Sequence, residues 1–121
     1  MIHNFILPVL LCLTMATSTH AAPLTKQQAK KLTSTLRQAL KDTLTDEDSA
    51  KFRNEYLSMS EIDGSTEIAL CGEVNSKNQF GGYAGFQQYI VTTSDGVIRN
   101  TPAVPTATQY LWPIWCSRPI K

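Results

Sequence analysis

Thr66-Glu-Ile-Ala-Leu-Cys-Gly-Glu-Val-Asn75 decides how the rest of the chain must be arranged. Its side chains alternate. Ile68, Leu70 and Val74 fall on one face of an extended chain, and Glu67, Ala69, Cys71 and Glu73 on the other. A strand with one apolar face has to lay that face on another layer. The flanking segments read as its sheet partners. Residues 52–59 repeat with period two, and Asp63-Gly64 between the two runs is a turn signal. Downstream, Ser76-Lys-Asn-Gln79 is a polar connection. Tyr83 to Thr93 then forms a long run rich in aromatic and β-branched residues. Ser94-Asp95-Gly96 turns that run back into Val97-Ile98.

The covering layer lies upstream. Thr25-Lys-Gln-Gln28 is a capping box, with a threonine to cap the first turn and a glutamine three residues on to return the bond. Ala29, Leu32, Leu36, Ala39, Leu40 and Leu44 follow at spacings of three and four, one apolar stripe of a helix over residues 25–44. Thr45-Asp-Glu-Asp48 reads as a second cap that opens a single turn through Ala50. Thr101-Pro-Ala-Val-Pro105 reads as extended linker or edge. Tyr110-Leu-Trp-Pro-Ile-Trp-Cys116 reads as a short edge strand interrupted by Pro113. The expected fold is α+β: an N-terminal helix packed on a small antiparallel sheet of three to four strands, with one disulfide.

The first residues carry an address. From Phe5 to Ala16 the chain is almost wholly apolar, and no Asp, Glu, Lys or Arg precedes Lys26. The run is shorter than the ~20 residues a bilayer span takes. It suits the apolar region of a signal peptide. Thr19-His20-Ala21 places small residues three and one before a cut, so residues 1–21 are predicted to be removed. Residues 22–121 then form a single α+β domain, periplasmic or secreted. Lipid attachment at Cys12 is not expected, because Leu11 stands where such a signal takes Gly, Ala or Ser.

Cleavage leaves about 100 residues, enough for one domain with one core. With 11 Lys and Arg against 10 Asp and Glu, the net charge is +1. That leaves no electrostatic footprint for nucleic acid. Lys26, Lys30, Lys31, Arg37 and Lys41 read as a solvated helix face. Of three cysteines, Cys71 and Cys116 remain after cleavage, and in an oxidising compartment they are expected to pair.

Both histidines, His3 and His20, lie in the segment predicted to be removed. The remaining chain therefore has no Ser-His-Asp or Cys-His nucleophile and no histidine metal ligand. No catalytic residue, metal or cofactor is predicted. Asp46, Glu47, Asp48 and Asp63 lack the ligand spacing of a calcium loop and read as solvated acids. Carboxylate chemistry of the glycan-hydrolase kind, with Glu73 as one of two acids, is the enzymatic alternative.

Phe80-Gly-Gly-Tyr-Ala-Gly-Phe86 sets three glycines among three aromatics. Either the rings pack over bare backbone, or the stretch presents an adaptable surface. The binding reading names Tyr83, Tyr89, Gln87, Gly81 and Gly82. On it, Tyr83, Gln87 and Tyr89 share an outward face, while Phe86 and Ile90 turn to the helix.

Three pieces of the chain, Asp48-Ser-Ala-Lys-Phe-Arg-Asn54, Cys71-Gly-Glu-Val-Asn-Ser-Lys-Asn78 and Gly81-Gly-Tyr-Ala-Gly-Phe86, resemble a pattern in short exported bacterial proteins and lipoproteins. The resemblance covers roughly residues 44–90 and implies a shared scaffold in a periplasmic or secreted protein. It implies no catalytic residues. The expected function is a small protein-binding module of the inhibitor or immunity kind, whose partner is another protein or an envelope component. A structural envelope component is the third reading. Nucleic acid and a stable membrane span after cleavage are not expected.

Mass spectrometry of the protein from its native host is expected to find an N-terminus at or near Ala22. Intact Met1 recovered in a membrane fraction would overturn the signal-peptide reading.

Overall fold

A computed structural model describes residues 23–121. The predicted signal peptide lies outside the described residues. The chain runs through helix α1 (Lys26–Lys41), a single 3₁₀ turn (Glu47–Ser49), strands β1 (Lys51–Ile62), β2 (Ser65–Asn75), β3 (Gln87–Thr92) and β4 (Gly96–Arg99), and a helical turn α2 (Trp112–Trp115). The four strands form one antiparallel sheet in the order β1-β2-β3-β4, each paired with its neighbour in sequence. This is the expected α+β fold.

The capping box forms as read: Gln28 N donates to Thr25 Oγ1 at 3.1 Å, and Thr25 N to Gln28 Oε1 at 2.9 Å. α1 stops three residues short of the expected end. The amides of Thr43 and Leu44 bond back only three residues, to Leu40 and Lys41, which tightens the chain out of the α-helix. Leu44 still reaches the core, but Ala39 is exposed. The following turn takes Asp46 as its cap, with Ser49 N donating to Asp46 Oδ1 at 3.3 Å. β1 is longer than its period-two core. It enters the hairpin through Asp63 and Gly64, both left-handed (φ 49° and 80°), as a type I′ turn requires.

Both faces of the sheet are covered. On one, Leu36 and Leu40 of α1 pack on Leu57, Leu70, Val74, Tyr89 and Val91. On the other, Ala69, Cys71 and Ile90 are buried under Trp115 and Cys116. The two faces of β2 are those its alternation predicts. The second layer is a strap made by the C-terminal segment, and it is helical where an edge strand was expected. Pro113 sits in the first turn of α2, where its missing N–H is no loss. Trp112 N donates to Thr108 O at 2.8 Å and Cys116 N to Trp112 O at 2.8 Å.

Three devices fasten the strap. The Cys71–Cys116 disulfide forms, with Cα atoms 6.0 Å apart across 45 residues of sequence. A loop of that length contributes about 4 kcal/mol in the chain-entropy account. Side chains of β1 also reach the strap backbone: the Tyr56 hydroxyl donates to Cys116 O at 2.8 Å and the Ser60 hydroxyl to Ile114 O at 2.7 Å. Finally, Arg118–Ile120 adds to the outer edge of β1, with Met59 N donating to Arg118 O at 3.0 Å and Ile120 N to Leu57 O at 2.9 Å. Pro119 stands opposite Ser58 and contributes neither of these two bonds.

β3 alternates as predicted, but its faces are reversed. Ile90 pairs with Cys71 and turns to the strap, while Tyr89 pairs with Gly72 and turns to α1, fully buried. The cause lies in the partner strands. β1 carries a bulge, where Asn54 and Glu55 stand opposite Gly72 alone and Asn54 is left-handed at φ 52°. The extra residue reverses the phase of β1. Phe52 faces α1 before the bulge, and Glu55 and Leu57 face it afterwards. Glu55 there accepts the Tyr89 hydroxyl and the Arg37 guanidinium, whose Nε lies 3.0 and 3.2 Å from the two carboxylate oxygens. Gly72 leaves the space the Tyr89 ring fills. A Cβ there would come within 2.7 Å of the Tyr89 hydroxyl and 3.2 Å of Glu55 Cα.

Gly72→Ala is therefore expected to lower stability by about 1–3 kcal/mol, as overpacking does. A urea melt is expected to show an earlier midpoint at unchanged slope. An unmoved midpoint would refute the close approach of ring and backbone.

Candidate functional site

The glycine-aromatic stretch is not strand. It is a loop over residues 76–86, held by two asparagines. Asn78 closes the tip on itself: its N–H donates to Gly82 O at 2.9 Å, its carbonyl accepts from Gly81 N at 3.0 Å, and its Oδ1 accepts from Phe80 N at 2.9 Å and Gly82 N at 3.3 Å. Gly81 sits at φ 79°, a conformation that suits glycine and allows the tip to close. Asn75 Oδ1 accepts from Gly85 N at 3.2 Å at the base. These side-chain bonds replace the ladder bonds that an extended β3 would have made.

The loop leans on the 3₁₀ turn. Ser49 Oγ accepts from Lys77 N at 2.8 Å, and Ser49 O accepts from the Tyr83 hydroxyl at 3.0 Å. The Tyr83 ring, 40% exposed, has Lys51 Nζ 4.7 Å from its centroid and Lys77 Nζ 5.9 Å away. Neither lysine is in an ion pair among the described residues. At the tip, Phe80 is 87% exposed. A bare phenyl group thus stands on a hydrogen-bonded loop that also carries Tyr83 with its two lysines.

A second stack lies at the base of the loop. The Arg53 guanidinium sits 3.9 Å from the Phe86 ring centroid and pairs with Glu73, Nε to Oε2 at 3.0 Å. Asn54 Nδ2 donates to the same Glu73 oxygen at 2.8 Å. These bonds from Arg53 and Asn54 hold the Glu73 carboxyl below its ordinary range. Three segments of the chain meet in this one construction: Ser49, Arg53 and Asn54 from residues 48–54, Glu73, Asn75, Lys77 and Asn78 from residues 71–78, and Gly81, Tyr83, Gly85 and Phe86 from residues 81–86.

The structure brings together Gly81, Gly82 and Tyr83 at the loop. Gln87, half-buried, lines a cavity of about 220 Å³ beneath it, with Lys77, Ala84, Arg99 and Thr101. Tyr89 is not part of this surface. With 0% exposure it belongs to the core, because Gly72 and Glu55 draw its ring and hydroxyl toward α1. Phe80, Lys51 and Ser49 were outside the predicted site. Phe80 was legible as an aromatic directly before two glycines, whereas the Ser49 contacts join positions far apart in sequence and leave no local trace.

Two carboxylates of the sheet, Glu55 and Glu73, are each held by an arginine. Glu55 lies on the α1 face of the sheet against Arg37 and Tyr89, and Glu73 on the strap face against Arg53. They do not flank a common cleft. No protein-family model, curated protein or solved structure matches the chain.

The burial that removes Tyr89 from the surface has a pH signature. Burial first, and then the hydrogen bond to Glu55 and its charge, push the Tyr89 hydroxyl far above its ordinary value of 10.0. The unfolded chain ionises this group as pH passes 10.0, and the folded chain does not. Its contribution to stability is thus whole below that pH and is lost progressively above it. Urea melts at increasing alkaline pH are expected to show this loss in the wild type and a shallower one in Tyr89→Phe. Equal alkaline slopes would refute the assignment.

Proposed function

We propose that this chain is an exported protein-binding module, periplasmic or secreted, of the inhibitor or immunity kind, and that it docks through the loop carrying Phe80 and Tyr83. The observation that carries the reading is an 87% exposed phenylalanine on a backbone already tied by Asn78 and by Tyr83 to Ser49. An anchor held in place before binding loses little conformational freedom when it docks. Burying a phenyl group contributes ~1.5–3 kcal/mol, the scale of an interface hot spot. Lys51 and Lys77 beside Tyr83 suit a partner whose apolar pocket has an acidic rim. The Cys71–Cys116 disulfide is compatible with an oxidising compartment. No helix among the described residues is long and apolar enough to cross a membrane.

The carboxylate-hydrolase alternative receives less support, since Glu55 and Glu73 sit on opposite faces of the sheet, each bound by an arginine.

Affinity capture from the native host's exported fraction, with wild type beside Phe80→Ala, tests the reading. Wild type is expected to retain a partner that Phe80→Ala binds about 2 kcal/mol more weakly, roughly 30-fold. The two melting temperatures are expected to agree, because Phe80 is almost fully solvated. Equal retention by both proteins would end this reading of the loop.

A further inference from the structure

Gln88 and Gln87 point to opposite faces of the sheet, so the strap side of β3 opens on a different surface from the Phe80 loop. A shallow, open depression of about 430 Å³ lies there, lined by Gln88 from β3, Asn100 after β4, Gln109, Trp112 and Pro113 from the strap, and Pro105. None of the lining side chains carries a charge.

Its amides are oriented from behind. Thr108, fully buried, donates its N–H to Asn100 Oδ1 at 2.9 Å, and its hydroxyl lies 3.0 Å from that same oxygen and 3.1 Å from Gln88 Oε1. Both carbonyl ends are thereby turned toward Thr108. The two NH₂ groups make no hydrogen bond to protein among the described residues, and neither is buried without a partner. They remain as solvent-accessible donors at the edge of the depression. Trp112 is fixed in turn, its ring edge-on to Tyr56 with centroids 6.5 Å apart.

We propose that this depression is a binding site for an uncharged saccharide. A pyranose has an apolar C–H face, which suits an indole, and a belt of hydroxyl groups, whose oxygens accept from the amide N–H groups of Gln88 and Asn100. The set contains an aromatic platform, oriented neutral donors and no ion. A charged ligand would find no counter-charge among the lining residues, and a purely apolar one would leave the amide donors unpaired. The site does not depend on the Phe80 loop.

The test is a nuclear magnetic resonance titration of the oxidised, cleaved protein with triacetylchitotriose and, separately, cellotriose. Either sugar is expected to shift the side-chain NH₂ signals of Gln88 and Asn100 and the Trp112 indole N–H saturably, with a dissociation constant on the order of 1 mM or tighter. Trp112→Ala is expected to weaken binding about tenfold or more. Gln109→Ala changes an exposed side chain and keeps the fold, so it serves as a second variant and is expected to weaken binding measurably. Absence of saturable shifts with both sugars overturns the proposal. So does an affinity unaffected by both substitutions, or saturation by decaproline where neither sugar binds, since that outcome assigns the Trp112–Pro113 surface to a proline-rich peptide.

Discussion

The Tyr89 ring lies across bare backbone at Gly72, and its hydroxyl is held by Glu55, which Arg37 holds in turn. The arrangement ties α1, β1, β2 and β3 together at one point. It is a charged cluster within an otherwise apolar layer, and each member needs the others. Without Arg37, the carboxylate would be largely buried and uncompensated, and without Glu55, the phenol would lose its acceptor. Phe52 closes the cluster from the side, edge-on to Tyr89 at 6.1 Å and under Arg37 at 5.4 Å. The bulge at Asn54 sets the phase of β1, so the sheet register and the polar cluster are one constraint seen from two sides.

From that point the molecule builds outward as three layers. The helix covers the large apolar side chains of the sheet. The other face carries smaller groups, among them Ala69, Cys71, Ser58 and Ser60, and a thin strap suffices to bury it. Strap and sheet are joined as much by polar contacts as by apolar ones. The hydroxyls of Tyr56 and Ser60 donate to strap carbonyls, and Arg118 N donates to Ser58 Oγ at 3.2 Å. Buried serines on a strand thus mark where another backbone crosses.

Much of this was legible in the sequence. The alternation of β2 separates the two cores correctly, Asp63-Gly64 makes the predicted hairpin, the capping box at Thr25 forms, and the two cysteines retained after the predicted cut are paired. What was not legible shares a physical cause. Alternation within β3 puts Tyr89 and Ile90 on opposite sides but says nothing of which side is which. That choice is made across the sheet, by Gly72 opposite the ring and by the bulge in β1. Pro113 interrupts a strand or opens a helix equally well, and here the backbone bonds from Trp112 to Thr108 and from Cys116 to Trp112 continue the helical turn. At the loop, the run of aromatic and β-branched residues places Tyr83 at the start of a strand, with Gly81 and Gly82 just before it. Asn75 and Asn78 capture the backbone there, and side-chain bonds of that kind have no period.

The position of Arg118–Ile120 on β1 has a consequence for how copies of this protein meet one another. The outer edge of a sheet is a template on which another strand can pair, and a long unprotected edge invites polymerisation. Here the chain occupies the middle of that edge with a piece of itself, and Pro119 places a residue without an N–H donor on the new rim. At the opposite margin, β4 is only four residues long. The Cys71–Cys116 bond keeps the self-pairing segment close to its place. Reducing it would leave the strap held by its packing and by the hydrogen bonds of Tyr56, Ser60, Met59 and Ile120, and any opening would then expose both the apolar strap face and an unpaired edge. The covalent bond that favours folding therefore also helps keep that edge covered.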